Sequence, residues 1–259
     1  MIQFNPDHFR LFILDYAKQQ IDDPLVGRVL NDIIITKQIN FGRASADYIT
    51  LDKHDMIGTH YLIYDTSNLF QPKLVAGIRS TYEVRAQQHQ MRTPIMDLIP
   101  FLPENCQAAY SEFHLAHPLA ADCGSLVVDG NYTFKNTGLK LVDICYAMIY
   151  IHISRMGYNH ILGCTNERFK SSRWLENIGS YRGGLNFVHP GVSDPHLLIM
   201  IEKFNVPYIK SVCTANASLF KNIQELVPKD AGYMDIKSAV DTFVFKGKLV
   251  AKKNLKLVG

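Results

Sequence analysis

The chain has 259 residues, 47% of them hydrophobic and 20% charged, with a formal net charge of +3. That is material for one large core or two small ones, and it excludes intrinsic disorder. The charge is too small to argue for a nucleic-acid surface, although KGKLVAKKNLKLVG at the C-terminus gathers five of the lysines in what reads as a solvated basic tail.

No apolar run approaches the roughly 20 residues that cross a bilayer. MIQFNPDHFR lacks the basic-then-apolar order of a signal peptide, so a cytoplasmic chain without an integral membrane segment is expected. Cys106, Cys123, Cys145, Cys164 and Cys213 are odd in number, widely spaced and form no CxxC pair. They read as reduced core residues, with neither a disulfide framework nor a zinc site.

In chain order, PDHFRLFILDYAKQQI places Phe9, Phe12, Ile13 and Tyr16 on one helical face and predicts an N-terminal helix; PLVGRVLNDIII predicts a second, shorter one. THYLIYD (59–65), the turn-rich SNLFQPK and LVAGIRSTYEV (74–84) form the pattern of an antiparallel hairpin. TPIMDLIPFL predicts a short helix with Thr93 as N-cap and Pro94 at its first position. AAYSEFHLA (108–116) reads as a strand buried on both faces.

Val127 opens a strand that leads into a glycine-bearing loop. From Gly138 to Met156 the residues Leu141, Val142, Cys145, Met148, Ile149 and Ile153 recur at helical spacing, and NHILGCT follows as a short apolar strand. This predicts a strand–helix–strand crossover. ERFKSSRWLENIG predicts a helix ended by Gly179, and the extended GGLNFVH and HLLIMIEKF flank the turn PGVSDP. Helical segments are expected around SLFKNIQEL and DIKSAVDTF. Together these describe an α/β domain with a mixed sheet over residues 1–205, with 206–259 an extension packed on the same domain.

Five stretches stand in an order with a known parallel: DKHDMIGTHYLIYD, LVAGIRST, TPIMDLIPFL, AAYSEFHLA, and GLKLVDICYAMIYIHISRMGYNHILGCTNERFKSSRWLENIG. On them, residues 52–184 resemble the GNAT superfamily of N-acyltransferases, and within it the branch of acyl-homoserine-lactone (autoinducer) synthases and long-chain N-acyl amino acid synthases. The resemblance implies a mostly antiparallel mixed sheet flanked by helices, with extra helices at both termini. It implies transfer of a medium or long acyl group from an acyl carrier protein or coenzyme A thioester to the amine of a small amino-acid-like acceptor, with no tightly bound cofactor. Two alternatives stay open: an acetyl-coenzyme A acetyltransferase of a small amine or protein lysine, and a non-catalytic module that binds an acyl thioester.

The resemblance also implies site residues. The donor would be gripped by the loop Lys135, Asn136, Thr137, Gly138 and Leu139 at a helix N-terminus, where free N–H groups favour anions. The usual loop has arginine or glutamine followed by two spaced glycines; KNTGLK has one glycine, which favours a carrier-protein donor. Glu112 is the candidate base, sharing one strand face with Tyr110 and His114 by alternation. Arg79 and Tyr110 complete the catalytic set, and Asp52 and Asp55 are expected to bind the acceptor. His114 and His117 would point to opposite faces of a strand, so no metal is expected. Arg85, Arg92, Lys135 and Lys140 are the basic residues expected to meet an acidic carrier protein. Two departures stand out. No arginine follows Glu112, where the autoinducer synthases have serine–arginine, and their N-terminal tryptophan is absent, Trp174 being the only one.

Overall fold

The computed structural model describes residues 5–41, 52–167, 172–181, 185–190, 194–228 and 231–245. The basic stretch 246–259 lies outside them. The chain opens with a strand, β1 (Phe9–Asp15), where helical spacing predicted a helix. Phe9, Leu11 and Ile13 point to one side and Leu14 to the other, all completely buried, so the strand presents an apolar run without a clean period of two. After it come α1 (Pro24–Phe41), α2 (Lys53–Ile57), and the expected hairpin of β2 (Thr59–Asp65) and β3 (Lys73–Thr81).

Three helices follow: α3 (Glu83–Gln87), α4 (Pro94–Leu98) and α5 (Glu104–Ala116). The last corrects the reading of AAYSEFHLA as a strand. Cys106, Tyr110 and Phe113 are buried at helical spacing, which outweighs the apparent alternation. The central strand is instead β4 (Ala120–Val128), extending the strand expected at Val127 back by seven residues. Then come α6 (Phe134–Thr137), the long α7 (Leu141–Arg155), β5 (His160–Asn166), α8 (Ser172–Ile178), β6 (Gly179–Tyr181), β7 (Asn186–Val188) and β8 (Pro195–Phe204). The chain continues through α9 (Val206–Ala215), α10 (Ala217–Lys221), β9 (Gln224–Leu226) and α11 (Ile236–Val240).

The strands form one sheet in the order β6-β8-β5-β4-β3-β2-β1-β9, with β7 also on β8. Pairing is antiparallel except for β4–β5 and β1–β9. One face carries α7 over Tyr61, Ile63, Ile78 and Cys123, and the same core takes in Ile209, Phe220 and Val240 of the C-terminal helices. The other face carries α1 over Leu62 and Leu74, and α4 and α5 over Ala120, Leu162 and Met200. Side chains alternate across the sheet, so adjacent β4 residues serve opposite faces. Asp122 faces α4 and Cys123 faces α7.

Candidate functional site

The parallel pair β4–β5 is short. Its register runs from Ala120↔His160 to Cys123↔Gly163 and stops, while β4 continues to Val128 along β3 and β5 continues to Asn166 along β8. The two strands therefore diverge, and the gap is a cleft walled by Gly124, Ser125 and Leu126 on one side and Cys164 and Thr165 on the other. Val142 and Tyr146 of α7 and Trp174 of α8 close its top. Backbone groups on diverging strands are left for a ligand to pair. Ser125 has φ 58, an uncommon left-handed conformation for serine, and lies where the β3–β4 register shifts. Strain of this kind collects at functional sites.

Across the sheet, on the α1 face, sits a buried charge cluster. Asp52 is the N-cap of α2, its side chain accepting from the His54 N–H while Asp55 accepts from the Asp52 N–H, a reciprocal capping box. Arg79 on β3 donates from Nη1 to both oxygens of Asp52 (2.7 and 2.8 Å) and to Asp55 (2.7 Å). Lys37 on α1 donates to both oxygens of Asp55 at 2.6 and 2.7 Å and lies 3.8 Å from Asp52. Burial works against ionising Asp52, but His54, Arg79 and Lys37 outweigh it and hold its carboxyl well below the usual range. Burial likewise opposes the Asp55 charge, and His60, Arg79 and Lys37 overcome it. Burial pulls Lys37 down, with Asp55 pulling it back up. His60, burial pushing it down to about 4, is neutral, and its ring Nε2 pairs with the Asp55 carbonyl at 2.8 Å.

Asp122 lies on the same face, opposite Thr81 of β3. Its carboxylate accepts the backbone N–H of Ile95 at 2.6 Å, capping α4 from outside the helix; Thr93, the N-cap by position, makes no side-chain capping bond. Burial pushes the Asp122 carboxyl up to about 6, the Ile95 N–H and Thr93 offsetting part of the effect. A carboxylate tuned close to neutrality, one residue before a parallel pair opens, has the properties of a general base.

No family model and no curated protein matches the sequence. Among solved structures, the chain is similar to BjaI, a CoA-dependent acyl-homoserine lactone synthase solved with SAM and isopentyl-CoA, at TM-score 0.56 and 10% identity over 90% of this chain and 99% of that one. The same synthase with MTA gives 0.54 and 9% over the same shares. The fold is of the GNAT type. FeeM, an N-acyl amino acid synthase from uncultured soil microbes, overlaps at TM-score 0.47 and 13% identity, over 78% of this chain and 94% of that one.

On this GNAT-type frame the expected residues fall into two groups. Asp52, Asp55 and Arg79 are brought together in the charge cluster. Lys37 and His60 join them unannounced, yet Lys37 continues the buried α1 stripe of Val26, Leu30 and Ile33, a signal present in the spacing. Glu112 is the main correction: it lies on the exposed side of α5, away from any central strand, because that helix turns Tyr110 and Phe113 inward. Tyr110 is buried, and burial with the charges of Glu83 and Asp122 pushes its phenol up to about 12. His114 and His117 thus sit on a helix or its cap, and among the described residues no group of three ligands suited to a metal occurs.

The loop 135–139 is also built differently from the expectation. The backbone N–H groups of Asn136 and Thr137 bond to the Thr133 carbonyl, that of Gly138 to the Phe134 carbonyl, and that of Leu139 to the Thr137 hydroxyl. Gly138, at φ 70, is the left-handed C-cap of α6, and Thr137 caps nothing on α7. These N–H groups are already used, so the loop is not a ready phosphate cradle. Arg85 is likewise not a surface cation: it pairs with buried Asp15 at 2.8 Å and lies over the rings of Tyr16 and Tyr82. Arg92, Lys135 and Lys140 are exposed.

Lys37→Met is expected to cost about 3–5 kcal/mol in urea unfolding, because Asp55 stays buried with one cation fewer. The acid limb checks the cause. Asp52 and Asp55 have depressed folded values, so their contribution is present above about pH 4 and lost as pH falls through those values. In the variant that loss should begin at higher pH; an unchanged acid limb would remove Lys37 from the cluster's energetics.

Proposed function

We propose that the protein is an N-acyltransferase that takes an acyl group from a thioester on a pantetheine arm and passes it to the amine of a small acceptor. The observation that carries this reading is the β4–β5 divergence with Asp122 beside its apex. A pantetheine arm is an extended chain of two amides, and the unpaired edges of two diverging strands offer it N–H and C=O partners in a groove open to α7. The acceptor enters from the α1 face, where Asp52, partly exposed at the rim of the charge cluster, takes its ammonium. Asp122 removes the amine proton, and the neutral nitrogen attacks the carbonyl through the gap.

The donor reading follows from the consumed N–H groups of 136–139 and from Asp143, which is buried in the first turn of α7 and accepts from the Tyr208 hydroxyl at 2.6 Å. A carboxylate there already serves the helix dipole and repels a pyrophosphate. This favours a carrier-protein thioester, met by Lys135 and Lys140 rather than by Arg85. BjaI, described as CoA-dependent, uses the other donor on the same fold.

The test is thiol release from acyl thioesters of graded chain length, presented on coenzyme A and on a carrier protein, with a panel of amino acids. Turnover that rises with chain length and is faster from the carrier at low salt supports the whole reading; preference for acetyl-coenzyme A replaces it with an acetyltransferase. Binding without thiol release would leave a non-catalytic module. In the same assay Glu112→Gln should stay within about twofold of wild type, as surface changes usually do. A loss of two orders of magnitude would return the base to α5.

A further inference from the structure

Beyond the cleft, at the end of the sheet where β4 finishes and β3 begins, large apolar side chains face outward. Leu69 and Phe70, in the turn between β2 and β3, have 80% and 98% of their surface exposed, and Phe134, which opens α6, has 60%. The two loops that carry them are fastened to each other and to the sheet. Lys73 pairs with Asp129 at 2.7 Å, the Asp129 N–H donates to the Val75 carbonyl at 2.8 Å, and the Tyr132 hydroxyl donates to buried Asp65 at 2.9 Å. The turn itself is shaped by Asn68, whose side chain accepts the Phe70 N–H at 3.1 Å and whose carbonyl accepts the Gln71 N–H at 3.2 Å. Leu69 and Phe70 are therefore held outward by a hydrogen-bonded turn. Cations surround them: Arg10, Lys73, Lys135 and Lys140 are exposed at this end of the sheet, against Asp7 and the Asp129 already paired with Lys73.

The geometry points to this end of the sheet as a docking surface for an anionic lipid bilayer. Leu69, Phe70 and Phe134 enter the headgroup region, and the cations around them meet lipid phosphates and carboxylates. A protein partner fits the surface less well. Three side chains of about 200 Å² each fall short of the roughly 800 Å² per partner of a stable protein interface, and they project from separate loops rather than lining a groove. A bilayer accepts isolated apolar side chains of any shape and draws lysine and arginine by its negative surface potential. The placement also has a use. β4 runs only from Gly124 at the cleft to Val128 beneath these loops, roughly 13 Å at about 3.3 Å per residue, so a docked bilayer lies close to the cleft. An amide with a long acyl chain is an amphiphile, and on the acyl-transfer reading above it is released beside the phase that takes it up. The docking itself does not depend on that reading. Lys135 and Lys140 suit an acidic carrier protein as well, so carrier and bilayer compete for them.

The experiment sediments the full chain with vesicles of phosphatidylcholine, with and without phosphatidylserine, and reads the bound fraction without any turnover. Wild type is expected to bind the phosphatidylserine vesicles, less as salt is raised and less again when the anionic lipid is left out. Replacing both tip residues, Leu69→Ser together with Phe70→Ser, should lower the partition coefficient roughly 10–100-fold, the range for withdrawing two large apolar side chains that are partly inserted. Phe101→Ser, which removes another exposed ring from the turn between α4 and α5, should leave it within about twofold. Leu69 and Phe70 do not line the cleft, so the double variant should keep the wild-type thermal midpoint and the wild-type thiol release from a soluble thioester. No binding by the wild type, or equal binding by the double variant, overturns the assignment. So does binding lost only when Lys246, Lys248, Lys252, Lys253 and Lys256 are changed to glutamine, which would place the contact on the C-terminal stretch. A lipid-free dimer that the double variant abolishes would give the surface to a second copy and overturn it too. Vesicle binding by a chain that releases thiol from no thioester would support the docking and defeat the acyl-transfer reading alone.

Discussion

Asp122→Asn is expected to lower turnover by roughly two to four orders of magnitude, the range for a positioned acid–base group, while leaving the protein at least as resistant to unfolding at pH 8 as the wild type. The two halves of this result have one cause. Asp122 is 4% exposed, and burial raises its carboxyl to about 6, above the value near 3.9 of an unfolded chain. Between those values the folded state binds the proton more tightly, so stability falls as pH rises from about 4 to about 6 and stays at the lower level beyond. Two pKa units correspond to about 3 kcal/mol. Asparagine carries no charge to bury, and its side-chain oxygen still accepts the Ile95 N–H. The variant should therefore gain on the wild type in urea between pH 5 and pH 8 as it loses activity. The wild-type profile of kcat/KM should rise through about pH 6, a limb absent from the residual activity of the variant. Activity and stability lost together would mark Asp122 as only the cap of α4, and wild-type turnover would exclude it from proton transfer.

How far the sequence discloses this site can be traced residue by residue. The crossover from β4 through α7 to β5 is readable because α7 is strongly periodic and β5 is a short apolar run between polar neighbours. The hairpin β2–β3 is readable from its turn. β1 misleads because burial on both faces removes the strand period, leaving Phe9, Phe12, Ile13 and Tyr16 at a spacing that imitates a helix. In α5 the stripe begins at Cys106, so a window starting at Ala108 leaves Tyr110, Glu112 and His114 as false alternation. The element hidden most completely is the one that forms the site. ADCGSL in β4 is small and polar because it borders a cleft on one side and receives the α4 cap on the other, so it lacks the apolar pattern by which strands are recognised. Asp52, Asp55 and Arg79 emerge from the order of motifs, whereas Asp122 becomes visible only when β4 is placed.

Gly163→Ala should be among the most damaging single changes in the sheet. Gly163 is the last residue of β5 paired with β4, and a Cβ built there would lie 2.2 Å from the carbonyl oxygen of Cys123. Side chains essentially never approach so closely, and the obstacle is backbone, which cannot rotate away. The methyl group has to push β4 from β5 at the apex of the cleft, at a cost of roughly 3 kcal/mol or more, the upper end for an inserted methyl group in a packed core. Gly124 supplies the control. It lies one residue beyond Cys123 on the opposing strand, where an added Cβ meets nothing within 4 Å, so Gly124→Ala should stay within about 1 kcal/mol of wild type. In whatever fraction of Gly163→Ala folds, the strands separate one residue early. The apex then shifts back onto Asp122, and donor affinity read from Trp174 quenching should fall. Equal stability of the two variants would mean that β4 and β5 are not held this close, and the cleft would lose the geometric origin assigned to it.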